Sequence, residues 1–123
     1  ARMRFQREVG HWSAFWLQSP TVRVQGNPRK YGAEIDIIEY RATDGDTALH
    51  NIYWDGYNEG RKHVGATSFL AGLSEGFHDI GLHWTPSAYT FYVDRKEVWR
   101  TTSAVSHRPQ YIVLMPGTGP GSW

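Results

Sequence analysis

Short apolar segments separated by turn residues predict an all-β fold for this chain of 123 residues. Apolar and polar residues alternate within these segments, which is the period of a strand that buries one face. Glycine, proline and aspartate recur between the segments. No segment keeps the 3.6-residue period of an α-helix. These observations predict a β-sandwich or a β-barrel.

The first half of the chain shows strand patterns over residues 2–7, 12–17, 34–40 and 48–54. The first pattern alternates basic with apolar residues until Gly10 breaks it. The second is apolar on both faces, as expected of a central strand or of a strand that lines a cleft. Residues 28–32 are predicted to be a loop and residues 43–46 a turn, because proline, glycine and aspartate dominate them.

The second half continues the alternation over residues 62–69, 77–84, 89–94, 98–100 and 110–115. Residues 85–88 are predicted to be a turn, and residues 94–97 a tight hairpin connection between two strands. Residues 116–121 are rich in glycine and proline and are predicted to be a surface loop.

Length and composition predict one domain over residues 1–123, since 40% of the chain is hydrophobic and 20% is charged. The formal charge of +1 predicts no strong attraction to nucleic acid or to a membrane surface. No apolar run approaches the roughly 18 residues of a membrane span, and the first residues do not form a signal peptide. The absence of cysteine excludes disulfides, thiol catalysis and thiolate metal sites.

Three carboxylates lie within six residues of the strand predicted at residues 34–40, which begins Glu-Ile-Asp-Ile-Ile-Glu. Strict alternation would place Glu34 and Asp36 on one face but would turn Glu39 into the core. A buried, unpaired carboxylate is costly. We therefore predict a β-bulge at Ile37 and Ile38, which returns Glu39 to the face of the other two acids.

An acidic strand face is ordinarily a solvated surface, but like charges on one face repel and so need a reason. Glycoside hydrolysis uses two carboxyl groups that flank the bond to be cleaved, and a third can adjust their charge. Aromatic residues make up 15% of the chain, with six Trp and seven Tyr, and such rings grip the apolar faces of sugars. The pattern therefore favours a carbohydrate-active site.

The acidic motif resembles the signature of glycoside hydrolase family 16, in the longer form of laminarinases, agarases and carrageenases. Residues 10–17, Gly-His-Trp-Ser-Ala-Phe-Trp-Leu, resemble the Gly-x-Trp-Pro-Ala-Phe-Trp-Leu stretch of that family, with Ser13 where proline is usual. Residues 77–94 resemble a later family stretch that ends in a strand and a turn. The likeness covers most of the chain and implies a concanavalin A-like jelly roll of two curved antiparallel sheets.

By resemblance, Glu34 is the nucleophile, Glu39 the acid/base and Asp36 a residue that hydrogen-bonds Glu34 and adjusts its charge. The resemblance implies a retaining, endo-acting hydrolase of a β-linked polysaccharide, with β-1,3-glucan as the expected substrate. Agar- or carrageenan-type galactans and mixed-linkage glucan are alternative substrates. The resemblance also implies a secreted protein, although no signal peptide is present in the sequence.

Candidate substrate-binding residues come from the aromatic positions near the acidic strand. Trp16 is predicted to stack on a sugar beside the nucleophile, with a place in the core as the alternative. Either His50 or Tyr53 is expected to face the acid/base, and Tyr53 and Trp54 are the favoured cleft residues. Trp99 is a further candidate platform, with core packing as its alternative. The orientation of Trp12 remains open.

No metal site or cofactor is predicted, because the six histidines lack ligand spacing. A structural calcium occurs in the family near the chain ends, but no ligands for one are identified. Family members are longer than this chain, so another polypeptide segment is expected to complete the sandwich. The rival hypotheses are an inactive fragment, a non-catalytic sugar-binding sandwich that needs neither Glu34 nor Glu39, and a purely structural sandwich.

Overall fold

The computed structural model describes residues 1–118 and is an antiparallel β-sandwich. Its strands are β1 (Arg2–Met3), β2 (His11–Gln18), β3 (Glu34–Arg41), β4 (Thr47–Trp54), β5 (Lys62–Phe69), β6 (His78–Trp84), β7 (Tyr89–Val93), β8 (Lys96–Thr101) and β9 (Tyr111–Thr118). A single-turn helix, α1 (Pro28–Tyr31), and a 3₁₀ turn at Ala42–Asp44 connect them. The prediction of an all-β sandwich is confirmed.

The strands form two sheets whose neighbours are all antiparallel. The larger sheet has the order β5-β4-β3-β2-β9, and the smaller has the order β1-β6-β7-β8. Strand β6 contacts β3 across the sandwich, and β8 contacts β5. The smaller sheet therefore lies over the β3–β5 side of the larger one.

The core lies between the sheets and is built from alternate residues of the strands, as a period of two requires. Ile35, Ile38 and Ile52 enter it from the larger sheet, and Tyr89 and Phe91 enter it from the smaller sheet. All five are completely excluded from solvent. The opposite face of the larger sheet is thereby left free to carry polar side chains.

The predicted bulge in β3 is confirmed. Trp16 of β2 pairs with Asp36, and the preceding Phe15 pairs with Ile38, so Ile37 has no partner on β2. The imidazole of His50 reaches this extra residue from β4, because its Nδ1–H donates to the Ile37 carbonyl at 2.7 Å. A hydrogen bond from the core side of the sheet thus stabilises the bulge.

Three segments differ from their predicted structure. The strand predicted at residues 2–7 is shortened to Arg2–Met3, because its partner β6 begins at His78, which pairs with Met3. Phe5 is still buried in the core. The loop predicted at residues 28–32 contains α1, which Asn27 caps by accepting a hydrogen bond from the Arg29 amide.

The loop predicted at residues 116–121 is wrong in its first part, since β9 pairs with β2 as far as Thr118. Pro116 is tolerated there because β9 is an edge strand. The remainder of that loop prediction lies outside the described residues. Over residues 1–118, the structure contains no helix long and apolar enough to cross a membrane.

Candidate active site

A cavity of about 270 Å³ lies on the face of the larger sheet that points away from the core. It is lined by Trp12, Ala14, Trp16, Glu34, Asp36, Glu39, Tyr53, Tyr57, Arg61 and Met115. All three carboxylates of the acidic strand thus share one cavity with four aromatic rings.

The register of β2 against β3 explains why the acids converge. Directly opposed residues of an antiparallel pair point to the same face. Glu34 is opposed to Gln18, and Asp36 is opposed to Trp16. Beyond the bulge, Glu39 is opposed to Ala14. Because Ile37 adds one residue on β3 alone, the three acids stay in phase with the even-numbered residues of β2.

Glu34 is held by two donors that meet at one carboxylate oxygen. The Gln18 side-chain amide donates to its Oε2 at 2.8 Å, and the Tyr57 hydroxyl donates to the same oxygen. Gln18 also donates to the Tyr57 hydroxyl and accepts a hydrogen bond from Tyr111. These hydrogen bonds fix the orientation of the Glu34 carboxylate in the cavity.

Tyr57 is carried to Glu34 by the loop that follows β4. Asp55 begins this loop in the left-handed region, with a φ of 65°. Its carboxylate accepts from the Gly26 amide at 2.8 Å and forms an ion pair with Lys62 at 2.7 Å. These contacts connect the start of the loop to Gly26, in the segment before α1, and to Lys62, the first residue of β5. Burial raises the pKa of the Tyr57 hydroxyl, and the hydrogen bond to Glu34 raises it further.

Asp36 is the most buried of the three acids, with 5% of its surface exposed. Burial raises its pKa well above the ordinary value, and the negative charges of Glu39 and Glu34 raise it further. A hydrogen bond with Glu39 acts in the same direction. We expected Asp36 to bond Glu34 instead. Two carboxyl groups can share a hydrogen bond only when one is protonated, and burial favours the protonated form of Asp36.

Burial also raises the pKa of Glu39, and a hydrogen bond from Asn51 opposes that shift. The Asn51 side-chain amide donates to Glu39 Oε2. The negative charge of Glu34 raises the pKa, whereas the charge of Arg41 and a hydrogen bond from Trp12 lower it. The net direction is upward, so Glu39 keeps a proton to higher pH than an exposed glutamate does.

A family model described as "Glycosyl hydrolases family 16" matches residues 1–118. The chain belongs to glycosyl hydrolase family 16. A curated beta-glucanase of Acetivibrio thermocellus is 34% identical over 128 residues, a match that covers 99% of this chain and 34% of that protein. This chain therefore spans about a third of the length of that relative.

Solved structures of the family share the jelly-roll fold of this chain. An endo-beta-1,3-glucanase from Pyrococcus furiosus superposes with a TM-score of 0.80 at 28% identity, covering 100% of this chain and 50% of that one. A laminarinase catalytic domain from Thermotoga maritima superposes with a TM-score of 0.78 at 24% identity, covering 99% of this chain and 52% of that one. The fold predicted from the resemblance is confirmed, and this chain corresponds to about half of each structure.

Three of the predicted substrate-binding residues do not line the family 16 cavity. His50 is fully buried between the sheets, with its ring 5.7 Å from that of Phe91. Trp54 lies on the same face of β4 and packs against the core. Trp99 packs on Phe91 in the smaller sheet, with ring centroids 4.7 Å apart. These rings lie in the core because their positions along the strands alternate with those that face the cavity, so their side chains point inward.

Trp16 and Tyr53 line the cavity, as does Trp12, whose orientation the sequence left open. The Arg61 guanidinium lies over the Tyr53 ring, 5.5 Å from its centroid. Burial raises the pKa of the Tyr53 hydroxyl, and so do the charges of the nearby acids. The aromatic lining therefore comes from β2 and β4 on either side of the acidic strand.

Sequence reasoning missed the polar residues that hold the acids: Gln18, Asn51, Tyr57 and His63. Two of them could have been found from the alternation of the strands. Gln18 follows Trp12, Ala14 and Trp16 at intervals of two, so it is expected on the same face as those residues. Asn51 likewise has the parity of Tyr53. Within residues 1–118, no group of three or more His, Cys, Asp or Glu side chains is arranged to hold a metal ion.

Proposed function

We propose that this chain carries the catalytic strand of a retaining, endo-acting β-glucan hydrolase. The observation that carries the proposal is the placement of Glu34, Asp36 and Glu39 in one aromatic-lined cavity. Family membership supports a glycosidase, and two relatives, a beta-glucanase and an endo-beta-1,3-glucanase, support a β-glucan as substrate.

The different surroundings of the two glutamates support different roles. Glu34, which Gln18 and Tyr57 hold in place by hydrogen bonds, is the nucleophile: its carboxylate attacks the anomeric carbon as the glycosidic C–O bond breaks. Glu39, whose pKa is raised by burial, gives its proton to the departing oxygen. Water then loses a proton to Glu39 and attacks the same carbon, which releases the Glu34 carboxylate and retains the anomeric configuration.

Asp36 separates the two glutamates and adjusts the charge of the site. Held protonated by burial, it donates a hydrogen bond to Glu39 and limits the number of negative charges in the cavity. The reaction as proposed needs no metal or cofactor, since the three carboxyl groups supply the nucleophile and the proton.

The cavity supports an uncharged sugar chain as substrate. Trp12, Trp16 and Tyr53 offer apolar ring surfaces on both sides of the acids. β-1,3-Glucan is the first candidate because a relative at 28% identity is an endo-beta-1,3-glucanase. Mixed-linkage glucan is the next, and Arg61 would suit a sulfated galactan of the carrageenan type. Because such polymers lie outside cells, we include secretion in the proposal.

A further polypeptide segment is part of the proposed active protein. Ile112 and Leu114 of β9 share the face of the core residues Leu17 and Phe15, yet they are 67% and 58% exposed. The smaller sheet ends at β1, whose far edge has no partner strand within residues 1–118. Strands added beside β1 would cover β9, and relatives about twice as long would supply them.

The test is release of reducing ends from laminarin, mixed-linkage glucan, xyloglucan, agarose and κ-carrageenan. We expect release from laminarin, and Glu34→Gln should lower it on the order of 10³-fold or more while leaving glucan binding intact. Glu39→Gln should recover activity on an aryl β-glucoside with an acidic leaving group, which needs no proton donor, whereas Glu34→Gln should not.

Normal activity in Glu34→Gln would overturn the assignment of the nucleophile. Folded wild-type chain that binds laminarin and releases nothing would instead support the non-catalytic or incomplete alternative. The coverage of only half of each solved relative is the observation that favours this second candidate.

A further inference from the structure

Glu39 is held by a chain of polar side chains that reaches across two strands, from β3 to β5. Asn51 of β4 donates to Glu39 Oε2, and the Oδ1 atom of the same amide lies 2.7 Å from His63 Nε2 of β5. We propose that Asn51 and His63 form a positioning pair for Glu39, and that β5 carries Gly65 to leave room for it. The functional part of this proposal rests on the proposed role of Glu39.

The direction of the hydrogen bonds follows from the chemistry of the groups. Asn51 Oδ1 is an acceptor, so His63 Nε2 must carry the proton and donate. A donor on the oxygen end of the amide turns its NH₂ end toward Glu39. Without His63, a flipped amide would present oxygen to the carboxyl group and favour the protonated form of Glu39 instead. His63 thus acts on Glu39 through the orientation of Asn51.

The ring of His63 is itself positioned by stacking. It lies on Tyr53, with centroids 4.5 Å apart and an interplanar angle of 25°. Burial lowers the pKa of His63, and the Arg61 charge lowers it further. The imidazole is therefore neutral near pH 7 and orients the amide as a hydrogen-bond donor, without a net charge.

Gly65 provides a second, independent observation. It lies directly opposite Asn51 in the β4–β5 pair. A Cβ atom at Gly65 would be 2.4 Å from Asn51 Oδ1, 2.8 Å from the His50 carbonyl oxygen and 2.9 Å from His63 Nε2. Its φ is not in the left-handed region, so backbone conformation does not require glycine here. Glycine weakens a strand interior, and where it occurs there it often marks a close approach. Here the Asn51–His63 hydrogen bond and the His50 carbonyl oxygen together occupy the space that a Cβ atom would need.

The Asn51–His63 pair is one of several influences on the pKa of Glu39, which also depends on the other groups that face this carboxyl group. Those groups are Asp36, Glu34 and Arg41 of its own strand, Trp12 of β2 and Tyr53 of β4. Burial raises the pKa of Glu39, and the Asn51 hydrogen bond is the largest influence that lowers it. An acid/base must lose its proton in one step and regain it in the next. If nothing opposed the rise in pKa, Glu39 would stay protonated and could not accept the proton of the attacking water.

The direct test is the pKa of the Glu39 carboxyl group, followed by carbon-13 NMR of glutamate-labelled protein. We expect the pKa to rise in Asn51→Ala, in His63→Leu and in Gly65→Ala. His63→Gln should stay near the wild type, because its side-chain amide keeps a donor for Asn51. Gly81→Ala is the matched glycine control, since a Cβ there meets only Tyr92 Cβ at 3.9 Å, an ordinary contact.

The kinetic counterpart applies once a cleaved polysaccharide is known. His63→Leu should lower kcat about tenfold, the effect of losing one hydrogen bond to a charged group, with little change in KM. The basic limb of the kcat/KM profile should move to higher pH, and His63→Gln should restore both. A merely structural role for His63 would change stability without moving that limb.

An unchanged Glu39 pKa in folded His63→Leu and Gly65→Ala would overturn the positioning pair, even in an active enzyme. A raised pKa in both variants supports the pair, even if the wild-type chain cleaves no polysaccharide. Failure of the pair and failure of the proposed function are therefore distinguishable.

Discussion

The three carboxyl groups of β3 differ in burial and in their hydrogen-bond partners. Glu34 receives two hydrogen bonds at one oxygen from Gln18 and Tyr57. Glu39 is partly buried and receives one from Asn51. Asp36 is almost fully buried and hydrogen-bonds Glu39, and burial raises its pKa well above the ordinary value. These differences support the three separate roles that we propose for the acids.

Asp36→Asn should raise the free energy of unfolding at pH 7 relative to the wild type. The pKa of Asp36 is raised in the folded state by burial and by two neighbouring acids, so its contribution to stability is complete below the unfolded value of about 3.9 and is lost as pH rises through the folded value. Asparagine is isosteric, has no such loss and can still donate to Glu39.

Urea unfolding at pH 4 and pH 7 checks this prediction, and the gain should be larger at pH 7. Glu97→Gln, at an exposed carboxylate of β8, is the control and should show no such pH dependence. The expectation fails if Asp36→Asn is destabilised equally at both values. Hydrolytic activity should fall less in Asp36→Asn than in Glu34→Gln, because the proposed mechanism gives Asp36 neither the attack on the sugar nor the proton transfer.

At the scale of secondary structure, the bulge in β3 depends on a residue of the neighbouring strand. The extra residue Ile37 is left without a β2 partner, and its carbonyl accepts from His50 Nδ1–H. The other ring nitrogen lies 3.1 Å from the Ser68 hydroxyl, which donates to it. His50 is therefore a neutral imidazole that bridges β3 and β5 beneath the acidic face.

His50→Leu should lower the free energy of unfolding by about 1–3 kcal/mol, because it leaves the buried Ile37 carbonyl without a donor. His50→Asn should recover part of the loss, since its amide N–H can replace Nδ1–H. Urea unfolding followed by tryptophan fluorescence compares the two variants. Equal destabilisation in both would show that cavity formation, and not the hydrogen bond, dominates the effect.

The same histidine gives the wild-type chain a sensitivity to acid. Burial lowers the pKa of His50, although its bond to the Ile37 carbonyl opposes the shift. A lowered value means that the contribution to stability is present above the unfolded pKa of about 6.5 and is lost as pH falls. In His50→Leu this component of the acid dependence should disappear.

On the scale of the whole molecule, the two sheets are unequal and leave one edge of the core uncovered. Five strands face four, and the smaller sheet covers the β3–β5 side. Leu114 pairs with the core residue Phe15 but is 58% exposed. Adjacent exposed apolar residues on an edge strand form a surface that promotes association.

Leu114→Lys should reduce self-association of the chain at micromolar concentration with little effect on stability. Because the side chain is largely exposed, the free energy of unfolding should change by no more than about 0.5 kcal/mol. Sedimentation equilibrium and urea unfolding measure the two quantities. Thr118→Lys, which adds the same charge at an exposed polar site of β9, is the control. A loss of stability typical of a core substitution would contradict the uncovered face.

The strand pattern and the acidic motif were readable from sequence because both depend on local parity. Alternation predicted most strand bounds, including Lys62–Phe69 without error. The cost of burying Glu39 required the bulge, and the structure has it between Asp36 and Glu39. The strand predicted at residues 2–7 ends early because it depends on a partner: β6 begins at His78, opposite Met3, so residues 4–7 have no strand of that sheet to pair with.

By itself, the sequence determined the class of fold, the bulge and the common face of Glu34, Asp36 and Glu39, because a period of two and the cost of burying charge act between near neighbours. Only the tertiary structure decided that His50 supports the bulge and that Asn51 with His63 holds Glu39. Those partners come from β4 and β5. Burial and hydrogen bonding at such positions depend on which distant strands pair and in what register, which parity within one strand does not specify.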